Sequence, residues 1–153
     1  LIKEGHHVDF RTIVHAFKTF PKIMPGIPAW HASLFESVRT AQRVREPILG
    51  RSRWFPTGET EPNTLVNFPA QSGGAALMSL GFQKLWAKRA TWMPFMRILI
   101  NGHDSLVTMV KEDKADWAAK LLEDCFATEI TLENGATMNF PIDVGIGKSW
   151  AEV

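Results

Sequence analysis

Residues 98–110 read ILINGHDSLVTMV: an apolar run, then Asn101-Gly102-His103-Asp104, then a second apolar run. Two such runs around an Asn-Gly predict a β-hairpin, with strands near 96–101 and 105–110. The Asn-Gly serves the turn. A histidine and an aspartate at the tip are not required by it, and they need a separate explanation.

The chain around this hairpin has 153 residues, 45% of them hydrophobic and 22% charged, which suits a soluble domain with a real core. Its single cysteine, Cys125, excludes an internal disulfide and fits a reducing compartment. No apolar run approaches the roughly 18 residues of a membrane helix, and no signal-peptide pattern opens the chain. The net charge of +1 hides an asymmetry: residues 1–103 hold 13 Lys and Arg against 6 Asp and Glu, and residues 104–153 hold 4 against 10. No acidic residue lies between Glu61 and Asp104. A basic side that meets a polyanion and chance clustering on solvated faces both explain that pattern.

Apolar spacing at Phe10, Ile13, Val14 and Phe17 predicts an amphipathic helix over 9–20, ended by Pro21, Pro25, Gly26 and Pro28. Trp30, Leu34 and Val38 predict a second helix, about 29–45. EPILGRSRWFPTG reads as a short extended piece and a basic loop. A third helix is expected over 72–89, opened by SGGAA and closed by a basic end. KEDKADWAAKLLEDCF predicts a surface helix with Trp117, Leu121, Leu122, Cys125 and Phe126 on one side. EITLENGATMNFPIDVG predicts a second hairpin turning at Asn134-Gly135. The sum is α+β: one antiparallel sheet with helices on one face.

Several chemistries drop out. His6, His7, His15, His31 and His103 lack zinc-site spacing. QSGGAAL lacks the lysine of a phosphate loop, and no G-x-S-x-G is present. His103, Asp104 and Ser105 are chain neighbours, so a hydrogen-bonded triad is disfavoured. Asp104 remains, with two readings. Its carboxylate can accept backbone N–H groups and shape the turn. Alternatively it is a magnesium ligand, since magnesium takes one or two carboxylates, several waters and substrate phosphates. A two-metal site would need a partner carboxylate, and Asp143, expected in a strand, could equally face solvent.

Beyond these readings, the chain resembles the family A DNA polymerases, the bacterial and phage polymerase I group. NGHDSLVTMV is similar to motif C of that family, a V-H-D-E stretch at a palm hairpin. FKTFPKI resembles F-x-x-Y-P-x-V, and ILGRSRWFP resembles T-L-x-G-R-R-R-Y-L-P. VNFPAQSGGAALMSLGFQKL resembles N-x-P-x-Q-G-T-A-A-D with its following helix. FPIDVGIGKSWAEV resembles P-L-x-V-x-V-G-x-G-x-N-W-x-E-A. The five segments occur in order, from about residue 10 to 153.

The resemblance implies a palm-type sheet in a partial polymerase domain, with 1–57 as the end of the fingers and the connection back to the palm, and 58–153 as palm. It implies that Asp104 is a catalytic metal ligand and that His103 stands near the primer terminus. Asn67 and Gln71 would contact DNA, and so would Arg51 and Arg53 of the basic loop. Lys84, Lys88 and Arg89 join them as candidates for phosphate contacts. The implied activity is template-directed DNA synthesis by a nucleotidyltransferase in DNA replication. The implied partners are primer-template DNA, a deoxynucleoside triphosphate and two magnesium ions, in a bacterial cytoplasm or that of a phage's host.

The departures from the family pattern also count. Ser105 stands where the family has an acid, Asn63 where it has an arginine, and GGAAL replaces the T-A-A-D aspartate. The regions of motif A, with the other metal-binding aspartate, and motif B, with the nucleotide-holding lysine and arginine, are expected upstream or on a second chain. This chain alone is therefore expected to be inactive and, without the rest of palm and fingers, to expose apolar surface at Phe68, Leu77, Leu80 and Phe82. A non-catalytic, degenerate DNA-binding remnant is the alternative, and the divergent motifs lean towards a phage.

Overall fold

The computed structural model describes residues 9–56, 61–132 and 135–152. His6 and His7 lie outside them, as does Asn134 of the second expected turn. The described elements are helices α1 (Phe10–Ile23) and α2 (Gly26–Ala41), strands β1 (Arg43–Arg45) and β2 (Ser52–Trp54), helices α3 (Pro62–Ala87) and α4 (Arg89–Trp92), strands β3 (Met96–Asn101) and β4 (Leu106–Val110), helix α5 (Ala115–Phe126), and strands β5 (Thr128–Thr131) and β6 (Thr137–Phe140). The class is α+β, as expected. The strands do not form one sheet, however. They pair as three two-stranded ladders, β1-β2, β3-β4 and β5-β6.

The chain divides into two compact units. The first, residues 1–44 and 52–67, holds α1 and α2. Asp9 caps α1, its carboxylate accepting the Thr12 N–H at 2.7 Å. The helix runs past Pro21, contrary to the expected stop. Proline in the last turn forfeits one bond, to the Phe17 carbonyl, and the turn still closes when Met24 donates to the Phe20 carbonyl at 2.9 Å. Pro28 starts no break either. It falls in the first turn of α2, where no N–H is needed. That helix ends at Gln42, in the left-handed conformation at φ 52°, so residues 43–45 are strand rather than helix.

The second unit, residues 45–51 and 68–153, holds the larger core. Leu85, Trp92, Met96, Ala118, Leu121, Leu122, Cys125 and Phe126 form one buried cluster, with Met78, Phe82, Leu106, Val110 and Ile142 against it. The Trp92 indole donates to the Leu85 carbonyl at 2.7 Å, so its polar edge is satisfied in the core. α5 buries the expected residues except Trp117, which is 41% exposed and meets Phe95 edge-on; Ala118 takes its place inside.

α3 begins ten residues before the expected start, and SGGAA is interior to it. Leu65 and Ala76 are fully buried along it, and that burial outweighs the cost of Pro69, Gly73 and Gly74. Gly81 has a packing reason: a Cβ there would run into the Phe126 ring. Phe68, Leu77, Leu80 and Phe82 are half-buried rather than exposed. The strongly exposed apolar side chains are elsewhere, at Phe10, Phe17, Ile23, Trp54 and Trp150. Asp143 lies in an irregular segment and not in a strand.

Candidate functional site

β3 and β4 pair antiparallel from Met96↔Val110 to Asn101↔Leu106, with an irregularity between Ile98 and Ile100. The base is fixed. Met96 is fully buried, Lys111 donates its N–H to the Phe95 carbonyl at 3.0 Å, and the Arg97 guanidinium reaches the Met93 and Met96 carbonyls. The tip is a four-residue turn closed by the Gly102 N–H on the Ser105 carbonyl at 2.8 Å. Asn101 is the last strand residue, so His103 and Asp104, not Asn-Gly, occupy the centre of the turn.

Gly102 does not use positive φ; among the described residues the glycines that do are Gly50 and Gly135. Its reason is close approach, because a Cβ there would stand 2.5 Å from Ser105 Oγ and 3.3 Å from the Ser105 carbonyl oxygen. Ser105 therefore folds back against the glycine. The backbone closes the turn, and among the described residues the Asp104 carboxylate takes no hydrogen bond or ion pair. His103 and Asp104 are both exposed. A carboxylate held this way, on a hairpin rooted in the core, has its oxygens open to a cation or a solvated ligand. It suits one ligand of a magnesium ion that keeps waters. Among the described residues no three His, Cys, Asp or Glu side chains converge, so a two-metal site is not built within them.

The other candidate residues divide between the units. Asn67 and Arg53 belong to the first. Asn67 is exposed on α3, and Arg53 lies in β2 with its guanidinium 5.2 Å from the centre of the Phe55 ring. Gln71 and Arg51 belong to the second unit. Gln71 is exposed on α3, and Arg51 Nη2 donates to the Ser72 carbonyl at 3.0 Å, one residue further along. Lys84 lies within 3.5 Å of the Ala127 carbonyl and 3.4 Å of Thr128 Oγ1, and Arg89 donates to the Trp86 carbonyl at 3.3 Å, so these two cations have local partners.

One residue escaped the sequence reading. Glu46 is fully buried in the turn before the basic loop. Its Oε2 accepts the Ile48 N–H at 2.7 Å, and its Oε1 accepts those of Leu49 at 2.7 Å and Arg51 at 3.4 Å. Burial pushes the carboxyl up. The three N–H groups and the Arg51 guanidinium more than offset this and hold it below the usual carboxylate range. The signal in the string is a lone acid among Arg43, Arg45, Arg51 and Arg53, placed before Pro47 and Gly50.

No helix among the described residues is long and apolar enough to cross a membrane. No family model matches the chain. Its sequence is 30% identical over 146 residues to "DNA polymerase I, thermostable" of Thermus filiformis, a match that covers 89% of this chain and 16% of that protein. The chain is thus related in sequence to a segment of a DNA polymerase I, and it spans about a sixth of that relative's length.

Proposed function

We propose that the chain is the C-terminal palm portion of a family A DNA polymerase, in which Asp104 is a metal ligand and His103 meets the primer terminus. The observation that carries this reading is the exposed Asp104 carboxylate, without a partner among the described residues, at the tip of a core-anchored hairpin. The reaction joins the primer 3′-oxygen to the α-phosphorus of a deoxynucleoside triphosphate and releases pyrophosphate. Magnesium, when bound, would neutralise charge on the phosphate oxygens. The protein's part is positioning: Asp104 holds an oxygen ligand in place, and Asn67 and Gln71 follow the shape and pairing of the primer-template rather than its charge. Arg53 and the basic loop contribute the salt-dependent attraction to DNA. The remaining carboxylate and the nucleotide-holding cations of motifs A and B come from outside these residues. The setting is bacterial cytoplasm, or host cytoplasm for a phage protein.

Primer extension tests this. With primer-template, deoxynucleotides and magnesium, the chain by itself should extend nothing. Supplied with a segment carrying motifs A and B, it should extend primers. Asp104→Ala should then lower the rate about 1,000-fold or more, equivalent to about 4 kcal/mol of transition-state stabilisation. Wild-type rates from that variant would remove the metal-ligand role. Ser105, in place of an acid, favours a second reading, a DNA-binding remnant without catalysis. Salt-dependent DNA binding with no extension by the completed wild-type protein would select it.

A further inference from the structure

The basic loop is held in place by its acid. Three N–H groups in a stretch of four residues, Ile48, Leu49 and Arg51, converge on the two oxygens of Glu46, and the Glu46 N–H closes the loop on the Arg51 carbonyl at 2.9 Å. Arg45 Nε donates to the Gly50 carbonyl at 3.0 Å from the other side. Gly50 sits at φ +70°, a conformation that any residue with a side chain adopts only under strain, so the loop favours a glycine there. The folded loop then touches α3 at two successive residues. The Arg51 guanidinium donates to the Ser72 carbonyl, with its Nε 3.7 Å from Glu46 Oε1, and the Ile48 side chain lies over Gly73, 3.5 Å from where a Cβ would be.

A guanidinium engaged at both ends differs from a mobile surface cation. Arg51 is not simply one more positive charge along the loop. It joins a buried carboxylate to a helix carbonyl, and its planar fork allows one side chain to reach both.

We infer that Glu46 is a positioning residue for DNA binding: its buried carboxylate shapes loop 46–51 and sets Arg51 as a clasp on Ser72, so that the loop and the stretch of α3 beginning at Gln71 meet the nucleic acid as one fixed surface. The consequence for DNA rests on the polymerase reading above, and the clasp itself does not. Glu46 touches no phosphate, and removing it takes no cation from the surface. Its loss should therefore lower affinity without changing how affinity depends on salt, whereas loss of a direct phosphate contact lowers the log–log salt slope by about one.

The test uses the full chain with Glu46→Gln and Arg51→Lys, read by amide hydrogen exchange and by salt-dependent affinity for a primer-template duplex. In Glu46→Gln one amide oxygen replaces two carboxylate oxygens. Exchange at Ile48, Leu49 and Arg51 should rise about tenfold or more, with the core amides of Leu121 and Leu122 unchanged as the folding control. Affinity should fall about tenfold at an unchanged salt slope. Arg51→Lys keeps the charge and loses the fork, so it should reproduce both effects. Unchanged exchange in Glu46→Gln, or an Arg51→Lys protein that behaves as wild type, would overturn the clasp. Faster exchange with undiminished affinity would overturn the loop's part in DNA binding, and would leave the Asp104 assignment to its own extension assay. If Glu46→Gln does not fold, the surface variant Arg51→Lys decides by the same two readouts.

Discussion

α1 and α5 carry the same kind of apolar spacing and meet opposite fates. α5 buries Ala118, Leu121, Leu122, Cys125 and Phe126, and Cys125 has no exposed surface at all. α1 buries nothing: Phe10 is 78% exposed and Phe17 77%. Periodicity thus identifies which face of a helix is apolar, but not whether the same chain covers that face. α5 is held by packing against Leu85, Trp92 and Met96. What holds α1 is local, a capping carboxylate at Asp9 and a last turn that tolerates Pro21.

Trp92→Ala should give the largest effect, because it empties the centre of the α5 region and leaves the Leu85 carbonyl without its indole donor. Such a truncation costs about 3–5 kcal/mol. Chemical denaturation should show a lower midpoint for the second unit, with the helical signal of α1 retained. A uniform loss across both helices would break the comparison by making the two units one cooperative block.

A smaller effect should come from Glu46. Its carboxyl titrates below the ordinary glutamate value, so it stabilises the loop above that value, and the stabilisation is lost as pH falls through the folded value. The group facing it, the Arg51 guanidinium, stays charged throughout. Glu46→Gln should cost about 1–3 kcal/mol near neutral pH and flatten the acid limb of stability. Acid titration of wild type and variant, followed by exchange at Ile48 and Leu49, checks the sign. Identical acid limbs would mean that the loop is not held by this carboxylate.

Phe17→Ser should change folding stability by no more than about 0.5 kcal/mol, because an exposed side chain leaves no cavity behind. It should lower any tendency of the chain to self-associate, since exposed apolar clusters drive association. Sedimentation of wild type and variant measures this. A loss above 2 kcal/mol would show that α1 is covered in solution and would remove its contrast with α5.

The hairpin at 96–110, both of its strands and the α5 face apart from Trp117 were legible in the string because each is a local pattern: two apolar runs around polar turn residues, and an apolar stripe at helical spacing. His103 and Asp104 stood out for the same reason, as charged residues between apolar runs. The start of α3 was not legible. Pro69, Gly73 and Gly74 are locally unfavourable, and only the burial of Leu65 and Ala76 outweighs them. Nor could the letters say which residues of the tip would form the turn. Spacing offered Asn-Gly, while the register that ends β3 at Asn101 moved the centre to His103-Asp104.

Composition, periodicity and motif order are properties of neighbours along the chain, and they suffice for the α+β class, the two longer hairpins, the charge asymmetry and the family resemblance. It took the folded chain to show that the described strands pair in three separate ladders, that backbone closes the turn at Asp104 while its carboxylate has no partner among the described residues, and that Arg51 is tied between Glu46 and Ser72. Those outcomes depend on contacts between residues apart in sequence. Burial and the pairing of polar groups set them, and no local pattern encodes either one.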